Sequence, residues 1–231
     1  MKNTLKCMLV AWMALAVSTV SAQTNDEVRS LSIFNGVEVS NSIEAKLVRG
    51  DQYQVEISAS GTEVANVVTE VEDRQLQVKM GKGNFGSTSV KVTITYAGDL
   101  DKVQTSTSAS VFVQDVLDSK SLALRAETSS YIETSVNVSK LSLEGTTNAK
   151  IFVEGTAADL RLEAYTKADI NGEGLQVKNA DVKTNTAAKS VISVSESIKG
   201  SAGTAGKVLY IGDPSLVDVK TNTGGDISRK E

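Results

Sequence analysis

The sequence predicts an all-β fold, a single-stranded parallel β-helix or solenoid of about 19-residue coils preceded by an atypical β-rich section, and three observations carry that prediction. A nine-residue phrase is written seven times between residues 103 and 227: VQTSTSASV (103–111), LRAETSSYI (124–132), LEGTTNAKI (143–151), LEAYTKADI (162–170), VKTNTAAKS (182–190), GSAGTAGKV (200–208) and VKTNTGGDI (219–227). Its fifth position is always threonine: Thr107, Thr128, Thr147, Thr166, Thr186, Thr204 and Thr223, at spacings of 21, 19, 19, 20, 18 and 19 residues. Self-similarity at a near-fixed period marks a solenoid, in which each unit stacks only on its neighbours. The third observation is an alternation inside the phrase. Side chains on extended backbone point to opposite faces in turn, and the odd positions read large, small, Thr, small, large.

That series suits a strand bending sharply where two sheets converge. Only short side chains fit there, as at Ala126 and Ser130 or Ala164 and Ala168. On this parity the Thr points inward too, its hydroxyl serving backbone groups at the bend. Stacked seven times, it forms a structural Thr ladder. The even positions, such as Gln104, Arg125, Glu144 and Lys183, form the solvated face. Each coil then runs through a second apolar segment, for example Val136, Val138 and Leu141, with turns at Gly155, Gly172 and Gly174.

One coil cannot fold alone. Its four or five buried aliphatics contribute roughly 1.5–3 kcal/mol each, while ordering about 19 residues costs roughly 1–2 kcal/mol per residue. Stacking has to supply the difference.

Ahead of the repeats, residues 1–22 read as a secretory signal peptide, with Lys2 and Lys6, an apolar run from Cys7 to Val17, and Val20-Ser21-Ala22 as a small-residue cleavage site. The apolar run is too short to span a bilayer. Residues 23–101 form the N-terminal β section, which starts and caps the solenoid, and residues 102–231 the seven-repeat array, together one continuous domain. In the first section residues 34–48 alternate cleanly, with Asn41-Ser42 between the two halves. Further strands are expected over 53–57, 64–71, 75–80 and 90–96, with a short helix as the alternative at 64–72. Removing the leader takes the only Cys and the only Trp, and there is no His. Lys plus Arg falls from 24 to 22 against 28 acids, a net charge of −6. Such a chain is expected to be exported, to the periplasm, cell surface or medium, and to be stabilised by core and ladder instead of disulfides. Its acidity argues against nucleic acid as a partner. The mature chain holds no candidate membrane span.

The opening FNGVEVSNSIEAKLVRG together with the turns Thr-Ser-Ala-Ser (107–110), Thr-Asn-Ala-Lys (147–150) and Thr-Gly-Gly-Asp (223–226) resembles the putative autotransporter adhesin, head GIN domain family, a domain of unknown function, over residues 30–227. The resemblance implies a β-helix similar to pectin-lyase-like proteins, export by Gram-negative bacteria and a role in cell adhesion. It carries over no site residues.

Weighed by chemistry, a polysaccharide lyase or hydrolase is the alternative function. It needs calcium with a basic residue or paired carboxylates. Glu144 and Glu163 occupy equivalent positions one coil apart, but between Arg125 and Lys183 they read as a charge-alternated solvent face. The strict six-residue period of hexapeptide acyltransferases is missing, and Asp169-Ile170-Asn171-Gly172-Glu173 reads as a turn, not a calcium loop. No catalytic, metal or cofactor site is expected. Tyr131 and Tyr165, on outward positions two coils apart, are the candidate contact surface for glycans or host and cell-surface glycoproteins. The open end of the solenoid is a candidate for self-association.

Overall fold

The computed structural model describes residues 25–83 and 88–230; the leader at 1–22 lies outside them. The N-terminal section contains β1 (Asn25–Ser30), β2 (Gly36–Val39), β3 (Glu44–Arg49), β4 (Gln54–Ser60), β5 (Val67–Glu72), β6 (Gln75–Met80) and β7 (Ser89–Tyr96). A single 3-10 turn, Val64–Asn66, precedes β5, so both alternatives for 64–72 hold in part. Then come β8 (Lys102–Thr105), β9 (Ser110–Val113), β10 (Leu117–Glu127), β11 (Tyr131–Thr146), β12 (Lys150–Ala164), β13 (Asp169–Thr184), β14 (Lys189–Ala202), β15 (Lys207–Ile211), β16 (Leu216–Thr221) and β17 (Asp226–Arg229). The result is a β-solenoid with coils of about 19 residues and a curled, mixed sheet at its N-terminal end.

Register follows the phrase. Leu124 pairs with Leu143, Leu143 with Leu162 and Leu162 with Val182, all parallel. On the other side of the turn Val111, Ile132, Ile151 and Ile170 stack in the same way. These columns are buried and form the core. Small residues at positions three and seven are buried as well in the first six copies, because the two strands close on each other there. A side-chain carbon added at Gly145 would lie 3.2 Å from the Ala168 methyl, and one at Gly206 only 2.7 Å from the Thr184 carbonyl oxygen.

The threonines, however, point outward. All seven are exposed, with left-handed backbone at the Thr and at the residue after it, for instance φ 51° at Thr107 and 61° at Ser108. The expected parity fails for a physical reason. It assumes extended backbone through all nine residues, whereas positions five and six form the centre of a tight β-turn, closed by Ala109 N–H donating to the Ser106 carbonyl at 3.1 Å. Two consecutive left-handed residues take the Thr out of the alternation and leave positions three and seven both inward. The ladder that does form is made of backbone. The amide after each turn Thr donates to the Thr carbonyl of the following coil, from Ser108 to Thr128 through Ala205 to Thr223, at 2.9–3.1 Å. Asn41-Ser42 is left-handed too, and Ser42 N–H donates to the Thr107 carbonyl, adding one more turn at the head of the row.

The N-terminal end is closed by strands that join the solenoid in parallel, through β6 and β7, and pair antiparallel with one another beyond them. On one side of the turn row β2 pairs with β6 and β6 with β5; on the other β3 pairs with β7, β7 with β4 and β4 with β1. Arg29 on β1 reaches across to the other edge, its guanidinium donating to the carbonyls of Val67 (2.6 Å) and Val64 (3.0 Å). That bond set satisfies carbonyls an open end would leave to water. Phe34 packs edge-on against Tyr53 at 5.0 Å between ring centres beneath this cap.

Candidate functional site: an aromatic stripe beside the turn row

Tyr131 and Tyr165 both have partly accessible side chains, but the structure does not bring them together. Tyr131 is the second residue after its turn and Tyr165 the residue just before the turn two coils on, so they stand on the two strands that the turn reverses. Tyr165 carries the Lys183 ammonium 5.9 Å from its ring centre and has no other aromatic beside it among the described residues.

Tyr131 has aromatic company. The residue one place beyond the nine-residue phrase again points outward, and it is Phe112 in one coil, Glu133 in the next and Phe152 in the third, in register. Phe112 is half-buried and Phe152 is 36 % exposed, one of few large apolar side chains left so open. The Phe112 and Tyr131 ring centres are 5.5 Å apart at 49°. With strands about 4.8 Å apart, Phe112 and Phe152 flank Glu133 one rung away on either side. The Tyr131 hydroxyl donates to Glu133 Oε2 at 2.6 Å. Partial burial, reinforced by that hydrogen bond and by the Glu133 charge, pushes the Tyr131 phenol up to about 12. A rigid platform results, with three aromatic rings around one carboxylate. Extending the repeated phrase by one position would have found Phe112 and Phe152 in the sequence.

The outward carboxylates raised as catalytic candidates sit in ion pairs. Arg125 lies 3.5 Å from Glu144 and also bonds Glu127, and Arg161 bonds Glu163 at 2.7 Å. Their positions are those of a charge-alternated solvent face.

A family model described as "Putative auto-transporter adhesin, head GIN domain" matches residues 33–214, which span all but the N-terminal strand and the last coil. The chain belongs to this head GIN domain family. Solved structures agree on the fold. A putative adhesin from Bacteroides fragilis superposes with a TM-score of 0.82 at 18 % identity, over 91 % of this chain and 98 % of that one. A putative adhesin from Parabacteroides merdae gives 0.70 at 17 % identity, over 90 % and 97 %. A protein described as putative lipid binding, from Parabacteroides distasonis, gives 0.66 at 14 % identity, again over 90 % and 97 %. At such identities the likeness of this head GIN domain to them is one of fold. Comparison with curated proteins found no match.

Proposed function

We propose that this head GIN domain is an exported, non-catalytic binding module of the bacterial cell envelope, holding glycans through the stripe Phe112, Tyr131 and Phe152. The observation that carries the reading is the placement of Phe112 and Phe152 in register on either side of Glu133, with Tyr131 bonded to its carboxylate and all three rings accessible on the outer face. Aromatic faces stack on the C–H faces of sugar rings while a carboxylate accepts from hydroxyls, and a sheet fixes both without a folding cost on binding. Family membership supports an adhesive role.

The test incubates the protein with a panel of polysaccharides and host glycoproteins, recording retention and newly formed sugar ends. Retention without new ends, weakened about tenfold by Phe112→Ala with Phe152→Ala, is the expected result. New sugar ends would favour the polysaccharide-active alternative, and retention untouched by the double substitution would remove the stripe.

Self-association is a second partner reading. Leu216 and Val217 are 58 % and 46 % exposed on β16, which pairs only with β14 among the described residues. Unpaired edges with apolar side chains recruit further strands. Sedimentation that stays monomeric over a wide concentration range would dismiss it.

A further inference from the structure

A trough of about 370 Å³ runs along the solenoid on the strands that approach the turn, away from the aromatic stripe. Its floor is the backbone at Leu141, Leu160 and Ala180, in register on successive coils, whose side chains turn inward to the core. One wall is the column Lys140, Asp159, Asn179, Ser197. Here Ser197 Oγ donates to Asn179 Oδ1 at 2.7 Å and Asn179 Nδ2 to Asp159 Oδ1 at 3.2 Å. The other wall is Ser142, Arg161, Asp181, Lys199, with Lys199 3.5 Å from Asp181. Each coil therefore presents a facing pair across the trough: Lys140 with Ser142, Asp159 with Arg161, Asn179 with Asp181, Ser197 with Lys199.

We propose that this trough binds one strand of a neutral glycan lying along the solenoid axis. Three features select that occupant. The backbone N–H and C=O groups of β11 to β14 are consumed in the coil-to-coil ladder along the trough, so a peptide cannot be gripped by adding a strand. Recognition falls to side chains, and these are planar carboxylates, an amide and a guanidinium, which exchange paired hydrogen bonds with neighbouring hydroxyls. The walls hold three cations and two carboxylates, too nearly balanced to draw in a polyanion. The facing pairs repeat at about 4.8 Å per coil, comparable with the rise of one sugar in an extended chain. The ligand class rests on the glycan-binding reading above; the residues do not overlap with the stripe.

Titration calorimetry of the full chain with hexasaccharides derived from xylan, mannan and glucan, and with polygalacturonate, tests the proposal. At least one neutral hexasaccharide should bind, with affinity changed less than about threefold between roughly 0.05 and 0.5 M salt. Asp159→Ala with Asn179→Ala should weaken it at least about tenfold. Ser142→Trp, which fills the trough without touching the hydrogen-bonded column, should do the same and guards against a folding defect in the double variant. Loss in the trough variants with binding kept in Phe112→Ala/Phe152→Ala supports the trough and counts against the stripe; loss in both sets supports both. Binding kept in the trough variants and lost in the stripe variants overturns the trough and leaves the stripe standing. No neutral ligand bound, or polygalacturonate alone bound, also overturns it.

Discussion

From Asn41 to Thr223 each turn passes one backbone hydrogen bond to the next coil in the same geometry, whereas on the far side of the solenoid the register slips repeatedly. The slips account for the uneven spacing of the threonines. Between Phe152 and Gly155 the next coil gains a residue, and the Thr166-to-Thr186 coil has 20 where its predecessor has 19. Between Gly172 and Gln176 the following coil loses three, and between Val177 and Asn179 it regains one, which gives 18. A tight turn with two left-handed residues has no room for an insertion, and a broad corner does. Constraint and variation are thus divided between the two edges.

The largest expected effect breaks the far side. Gly155 has φ 108°, and a side-chain carbon there would sit 2.0 Å from the Val136 carbonyl oxygen. Gly155→Val should cost about 4 kcal/mol, combining a left-handed strain with a backbone clash, read as a fall in the urea midpoint. A cost below about 1 kcal/mol would mean that the corner yields more easily than described.

On the turn edge the sign reverses. A β-branched residue is a poor occupant of left-handed backbone, so Thr186→Gly should raise stability by about 1 kcal/mol. A loss there would show that packing between neighbouring threonines outweighs the strain. Thr184, two residues earlier, is the inward contrast: it is buried, and its hydroxyl has no partner among the described residues. Thr184→Val should be stabilising by up to about 1 kcal/mol, and a loss would point to a partner inside the core.

The smallest effect concerns Tyr131. Its phenol should ionise at about 12 in an absorbance titration, above the ordinary tyrosine value, because burial, the bond to Glu133 and its charge favour the neutral form. Since the folded value is the higher one, the associated stability is present below the unfolded value and is lost as pH rises through about 12. Glu133→Gln should bring the titration down.

The same division explains what could be read without coordinates. The repeat, its period and the small inward residues were legible because the turn edge imposes one solution seven times. The outward Thr was not, since parity counts residues and cannot sense a reversal of backbone hand at positions five and six. Phe112 and Phe152 escaped because the phrase was closed at its last core residue, one place short of the next outward side chain. The trough escaped for a different reason. Its pairs, such as Asp159 with Arg161 and Asn179 with Asp181, become a surface only once register across slipping coils is known.

The coil-to-coil ladder also dictates how the molecule carries mechanical load. Tugging on β17 and β16, each paired with one strand among the described residues, would open their rungs singly, like a peeled tape. A pull delivered through side chains in the middle coils instead loads many rungs together. Phe112, Tyr131 and Phe152 stand on strands paired on both sides, so a load applied there is shared between neighbouring coils.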